Sequence, residues 1–341
     1  MNALSAPPLR SPPRARLGLR APGRLHLGFV DPSGTLGRRF GSLGLVIEGF
    51  ATELELAGAR TDALHADTPA AAAELPRAMA FIERLRDQTG MREPLHLRLR
   101  GVLPAHAGFG SGTQLALAVG RAFAAWHGLS VDTATLARWL GRGLRSGVGI
   151  AGFEQGGLLL DGGPGADGTP APLLARHALP AEWRVIVVQD NSLRGLSGDP
   201  ERRAISTLPP LPRAQAADLC HQVLMRVLPG AATADHALFA AGVNALQERL
   251  GVHFAAAQGG SPWTSPTVAR LLGWVRDSEA HPGAVGQSSW GPTGFAIVPS
   301  QAAAQTLLAA ARAAGATDAA LTVDIVASRN HGAVLRAERP A

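Results

Sequence analysis

Three glycine-rich segments, each bordered by apolar stretches, constrain most strongly what this chain can fold into. They are Pro104–Thr113, Arg145–Gly157 and Gly286–Phe295. The first follows an alternating stretch, Leu95–Val102, that reads as a half-buried strand, and it runs into the apolar stretch Gln114–His127, which reads as a helix. Glycines let backbone N–H groups converge, and a helix N-terminus adds partial positive charge, so this order makes an anion cradle. Gly108, Gly110, Ser111, Gly112 and Thr113 are the candidate phosphate ligands; a ligand-free strand-to-helix turn is the plainer alternative.

The second segment holds a literal G-x-G-x-x-G at Gly147, Gly149 and Gly152. A dinucleotide site needs a strand before that motif and a helix after it. Here a helix is expected before and a strand after, so NAD is excluded. The third segment lies between two apolar strands and could be a hairpin turn. Gly286, Gln287, Ser288, Ser289 and Trp290 offer more chemistry than a turn needs, and they read as a substrate-lining loop.

Around these segments the periodicities predict strands over Leu17–Arg20, Leu25–Val30 and Gly44–Leu56, and a helix over residues 69–89 that Gly90 stops. A helix opens at Asp132 and runs to Leu140. Gly156–Asp161 and Arg184–Gln189 read as strands, with a Pro/Gly-rich span over 162–172 between them. Arg213–Leu250 reads as two helices broken at Pro229–Gly230. A helix over Thr267–Ser278, a strand–loop–strand over Ala284–Val298, a helix over Gln301–Ala314 and a strand over Leu321–Ala327 complete the chain. Helices mixed with antiparallel strands give an α+β class. At 341 residues, two packed halves are expected, divided as 17–180 and 181–341 behind a disordered Pro/Arg-rich tail over 1–16.

Composition excludes several functions. No lysine occurs, so all 32 basic residues are arginine. That removes a Walker A nucleotide loop and any lysine Schiff base, and with it pyridoxal phosphate. The single cysteine, Cys220, excludes an internal disulfide and a cysteine-cluster zinc site. A net charge of +6 raises nucleic-acid binding, but the arginines are scattered with few interleaved aromatics. No run approaches the ~20 apolar residues of a membrane span, and prolines interrupt any apolar N-terminal signal core, so the cytoplasm is expected.

Read together, the segments resemble the GHMP superfamily of small-molecule kinases. Ala21–Gly28 resembles its opening A-P-G-K/R strand, Pro104–Thr113 its phosphate loop, Ser146–Gly157 its S-G-x-D…G-G segment and Gly286–Gly294 its C-terminal glycine motif. The resemblance implies a ribosomal-protein-like N-terminal domain and a ferredoxin-like C-terminal domain. Gly149 stands where those kinases carry a catalytic aspartate, and their lysine near the first strand is missing. Phosphoryl transfer lacks its usual parts.

Four longer segments are similar to a narrower family, β-ribofuranosylaminobenzene 5′-phosphate synthase. They are R-L-H-x-G-x-x-D at Arg24–Asp31, L-P-A-H-x-G-x-G-S-G-T-Q at Leu103–Gln114, R-S-G-x-G-I-A-x-F-E-x-G-G at Arg145–Gly157 and G-Q-S-S-W-G-P-T at Gly286–Thr293. The resemblance implies condensation of phosphoribosyl pyrophosphate with 4-aminobenzoate or 4-hydroxybenzoate, releasing CO₂ and pyrophosphate, in tetrahydromethanopterin biosynthesis. Mg²⁺ and a homodimer are further expectations. Arg24 and Arg145 become candidates for phosphate or carboxylate contacts. His26 and His106 become candidates to donate to pyrophosphate or orient the carboxylate, or simply to bond locally. Glu154 could hold Mg²⁺, stabilise charge at the sugar carbon, or be structural; Asp31, Glu48 and Asp161 are weaker metal candidates. Ser288, Ser289 and Trp290 would line the acceptor pocket. An ATP-dependent GHMP-type kinase is the alternative.

Overall fold

The computed structural model describes residues 16–195, 203–204, 206–278 and 283–338. The expectation for the Pro/Arg-rich tail falls outside them, except for Arg16, the first residue of β1.

Two sheets carry the chain. In the first, β1 (Arg16–Asp31) pairs antiparallel with β2 (Phe40–Gly58), and β2 pairs with β4 (Leu95–Gly101), which β3 (Ala63–Ala66) joins in parallel. β5 (Leu158–Asp161) adds to β2, and β6 (Leu173–His177) to β5. The two strands expected at Leu17–Arg20 and Leu25–Val30 are one strand. What looked like a break at Pro22–Gly23 is a pair of register shifts, between Pro22 and Arg24 and between His26 and Gly28. Pro22 cannot donate to a ladder and glycine tolerates a bulge, so the strand kinks without ending. The kink releases the Arg24 N–H, which donates to Phe109 O at 3.1 Å and ties the first glycine loop to the sheet.

α1 (Pro69–Thr89) starts at Thr68, whose side chain accepts from Ala71 N, and stops at Gly90 in the left-handed region. α2 (Ser111–Trp126) and α1 cover the first sheet, with Phe81, Ile82, Leu85, Leu117 and Phe123 packed on Leu54, Leu56, Leu97 and Leu99. α3 (Thr133–Trp139) is capped by Asp132. Its end is a Schellman motif: Arg142 N bonds Ala137 O and Gly141 N bonds Arg138 O. Inside the second glycine segment lies a helix that its glycines hide from the sequence, α4 (Val148–Gln155). Its cap comes from far along the chain, because the Asp161 carboxylate accepts from Gly147 N at 2.7 Å and Val148 N at 3.1 Å.

The second sheet has the order β10-β7-β9-β8, built from β7 (Arg184–Asp190), β8 (Ala284–Gln287), β9 (Thr293–Val298) and β10 (Leu321–Ala327). Both faces are covered, which is why β7 reads as continuously apolar. Ile186, Val188, Ala296 and Val298 face α8 (Pro266–Arg276) and α9 (Gln301–Ala313). Val185, Val187, Phe295 and Ile297 join the largest core, with Leu25, Leu27, Leu219, Phe239 and Val243.

The helical stretch between the sheets differs from expectation at one point. α5 (Arg213–Gln222) continues through a π turn over Val223–Val227 into α6 (Leu228–Ala232), so the chain does not break at Pro229–Gly230. The π turn places Pro229 in the first turn of α6, where its missing N–H is tolerated. The break comes at Ala234, with φ of 59°, before Asp235 caps α7 (His236–Phe254). The last strand, β11 (Val334–Glu338), returns to pair with β1 in the first sheet. No helix among the described residues is long and apolar enough to cross a membrane.

The first glycine loop is anchored by Phe109, which is fully buried and stacks on Phe50 with ring centroids 4.6 Å apart. Phe109→Ala is expected to lower unfolding free energy by ~3–5 kcal/mol in a urea titration, because a buried ring is lost and a cavity is left.

Candidate active site

The two sheets meet at an open cavity of about 720 Å³, bordered by all three glycine segments. Its floor is the first turn of α2. Gly110 caps that helix in the left-handed region, no side chain caps it, and no acidic residue occupies its first turn. Gly108, Gly110, Ser111, Gly112 and Thr113 all border the cavity, so the predicted cradle is assembled. Arg24 braces it, with Nη1 donating to Gly108 O at 3.2 Å. Gly108 has φ of +95°, and a Cβ there would lie 2.5 Å from Ser288 O; only glycine fits.

The third segment divides into bracing and lining residues. The Ser288 hydroxyl is fully buried, donates to Gly108 O at 2.7 Å and accepts from His26 N at 2.9 Å. It clamps the first loop, β1 and the third loop together and does not border the cavity. Gln287 accepts from Thr264 N and donates to Ser289 O at 2.8 Å. Gly286 packs against Gln247 with no room for a side chain. Ser289, with φ of 57°, and Trp290 do border the cavity. On that side Phe29, Phe40 and Trp290 make an aromatic wall, with Phe254 tilted behind Trp290 at 4.9 Å.

The electrostatics are one-sided. Arg24, Arg39, Arg77, Arg142 and Arg145 border the cavity together with His26 and His106, and among the described residues no aspartate or glutamate does. His26 is 3% exposed, and its Nε2 has no hydrogen-bond partner among the described residues. Burial, followed by the charges of Arg24 and Arg145, holds its pKa well below the usual histidine range, so the ring is neutral at neutral pH. Arg142 is pushed down to about 10 by burial and by Arg77 and Arg84, and it remains a cation at neutral pH. His106 sits exposed on the rim with φ of 59°.

Glu154 is not brought to this site. It lies exposed near the end of α4 and does not border the cavity. The weaker metal candidates are otherwise engaged. Asp31 accepts from Gly34 N and Leu36 N in a turn, and Glu48 holds Arg329 with both oxygens. Asp161 caps α4 and also accepts from Ser42 N and Gly163 N; burial outweighs these bonds and raises its pKa. No group of three or more histidine, cysteine, aspartate or glutamate side chains among the described residues could hold a metal. Among the described residues the cavity offers no carboxylate oxygen to a Mg²⁺. Arg39, Arg77 and Arg142 were not singled out in the sequence. Only Arg142 carried a signal, since Gly141 after a helix marks a Schellman end and sets the direction of the next residue.

The comparisons with known proteins agree with this architecture. The GHMP kinases N terminal domain family matches residues 76–157, and the GHMP kinases C terminal family matches residues 227–317. A homoserine kinase from Cytophaga hutchinsonii superposes with a TM-score of 0.64 over 98% of this chain and 100% of its own, at 16% identity. The chain thus has the GHMP-kinase fold. A beta-ribofuranosylphenol 5'-phosphate synthase of Methanothermobacter thermautotrophicus is 31% identical over 82% of this chain and 88% of its own length. One from Archaeoglobus fulgidus is 32% identical over 84% and 89%. The chain belongs to the beta-ribofuranosylphenol 5'-phosphate synthase family.

Histidine burial gives a testable pH dependence. His26, His127, His236 and His253 all have pKa values lowered chiefly by burial. Above the ordinary histidine value of 6.5 both the folded and the unfolded chain hold these rings neutral, and they contribute nothing. Below it the unfolded chain takes up protons first, so stability falls with pH until the folded rings titrate. The urea midpoint is expected to fall between pH 7.5 and 5.5, and His26→Gln to remove part of that fall while the other three histidines keep the rest.

Proposed function

We propose that this chain condenses phosphoribosyl pyrophosphate with 4-hydroxybenzoate or 4-aminobenzoate, forming a carbon–carbon bond and releasing CO₂ and pyrophosphate. The observation that carries this reading is a cavity with five arginines, an open helix N-terminus and an aromatic wall. Such a site suits a ligand set rich in phosphate together with an aromatic acid. Family membership supports the same reaction, and the relatives are named for a ribofuranosylphenol, which favours the hydroxy acid.

In this reaction the bond from the sugar anomeric carbon to the pyrophosphate oxygen breaks, and pyrophosphate leaves with the electron pair. The ring carbon that bears the carboxylate attacks the oxocarbenium-like centre. The carboxylate-to-ring bond then breaks, its pair returns to the ring, and CO₂ departs. The para hydroxyl or amino group supplies the electron density that makes the ring carbon nucleophilic, so no electron-sink cofactor takes part. The protein's task is positioning and charge stabilisation. Gly108–Thr113 and the arginines hold the anionic groups, and Phe29, Phe40 and Trp290 orient the acceptor ring. Mg²⁺ would enter with the donor and would supply charge neutralisation for the leaving diphosphate. The product would supply the aryl ribose phosphate of tetrahydromethanopterin.

The second reading, an ATP-dependent kinase, lacks its base. The place of the kinase aspartate is Gly149, where a Cβ would meet Thr113 Cγ2 at 3.2 Å and whose carbonyl accepts from Gln114 Nε2 at 2.9 Å. A side chain there would need Thr113 to give by a few tenths of an ångström.

Purified protein, phosphoribosyl pyrophosphate, Mg²⁺ and carboxyl-labelled acid are expected to release labelled CO₂ only when both substrates are present. The faster acid names the acceptor. Folded protein that releases none with either acid would overturn the proposal, and ATP consumption with a small alcohol would then favour the kinase.

A further inference from the structure

The arginines of the cavity form two groups. Arg24 and Arg145 both act on His26, at the β1 side. Arg77 on α1 and Arg142 on the turn after α3 converge elsewhere, over the first turn of α2. A Cβ built on Gly112 would lie 2.5 Å from Arg77 Nη2 and 3.5 Å from Arg142 Nη1. The two guanidinium heads therefore share the space directly above the second residue of that helix.

The geometry points to Arg77 and Arg142 as the subsite that takes the diphosphate of the ribosyl donor, with the backbone N–H groups and hydroxyls of Ser111–Thr113 completing it. This rests on the donor proposed above. Like charges converging on the positive end of a helix repel one another and are stable together when an anion lies between them. Arg84 adds a third guanidinium to the same neighbourhood, while Glu74, 3.5 Å from Arg77, is the carboxylate that offsets them. Arg142 Nε is buried and finds no acceptor among the described residues. The glycine at position 112 is also accounted for, since any side chain would displace Arg77. A diphosphate offers enough oxygens to engage two planar forks and a helix N-terminus at once, whereas a carboxylate or a single phosphate engages one fork well. A nucleoside diphosphate shares this chemistry, and the test separates the two sources.

The experiment is calorimetric titration of the full chain with inorganic pyrophosphate, ribose 5-phosphate, phosphoribosyl pyrophosphate and ADP. Arg77→Gln and Arg142→Gln are each expected to weaken pyrophosphate and phosphoribosyl pyrophosphate by about tenfold or more, the loss of charge-assisted hydrogen bonds. Arg142→Lys, which keeps the charge and loses the fork, is expected to fall between. Ribose 5-phosphate affinity should change by less than about threefold, because its single phosphate gains little from the second fork. Thermal melts identify the folded variants, and Arg77→Gln, at a half-buried position of α1, carries the test should Arg142→Gln unfold. Pyrophosphate affinity unchanged in folded variants overturns the assignment, as does an equal loss for ribose 5-phosphate. ADP binding more tightly than phosphoribosyl pyrophosphate, with the same arginine dependence, overturns the ribosyl donor as occupant. Pyrophosphate binding needs no turnover, so arginine-dependent binding without CO₂ release would sink the proposed reaction and leave a diphosphate subsite standing.

Discussion

The buried hydroxyl of Ser288 is the contact on which the site depends. It lies between Gly108 O and His26 N, and so joins the first glycine loop, the bulged first strand and the loop between β8 and β9 at one point. The net stabilisation from such bonds is modest, about 0.5–1.5 kcal/mol each, but leaving their backbone partners buried and unpaired costs roughly 1–3 kcal/mol. The clamp therefore specifies geometry more than it adds stability. It also explains the glycine at 108, because the close approach of Ser288 O excludes any Cβ there. The second sheet reaches the active site through this contact and through Ser289 N, which donates to His26 O at 3.3 Å.

Electrostatics follow from that frame. With no lysine in the chain, every side-chain cation at the site is a guanidinium, planar and charged throughout the working pH range. Two unit charges 4 Å apart repel by about 4 kcal/mol at the effective dielectric typical of protein surfaces. Arg77 and Arg142, converging on the N-terminus of α2, carry a repulsion that an anion between them would lower. Arginine charge, from Arg24 and Arg145, acts on His26 too. Its neighbours and its burial keep it neutral, which makes it a hydrogen-bonding group in a cationic wall without adding to the repulsion.

The fold was legible where periodicity is strong and local. The helix over 69–89, the alternation of Leu95, Leu97 and Leu99 and the apolar run of β7 all report burial directly. Elements stabilised from a distance were not. α4 is rich in glycine and takes its cap from Asp161, on another element, so nothing within Gly147–Gln155 announces a helix. The stop expected at Pro229 ignored a π turn that only tertiary packing supports. The site shows the same division. The place of the first glycine loop at the cavity was legible because its glycines and hydroxyls are contiguous, whereas Arg77 and Arg142 are isolated arginines on elements that meet only after folding. Glu154 looked chemical because it sits in a glycine-rich segment, but it is the glycines that pack inward there, with Gly152 against Val46 and Gly149 against Thr113.

A fold shared with kinases does not carry their chemistry with it. What the chain keeps of the GHMP architecture is the first glycine loop and the helix N-terminus behind it. What is missing is the group that would deprotonate an alcohol. Gly149 is packed on Thr113 and its carbonyl is tied to Gln114, itself fully buried, so an aspartate there would press on Thr113. The reaction proposed above, in which the leaving group is itself a pyrophosphate, would need charge stabilisation of that group more than abstraction of a proton.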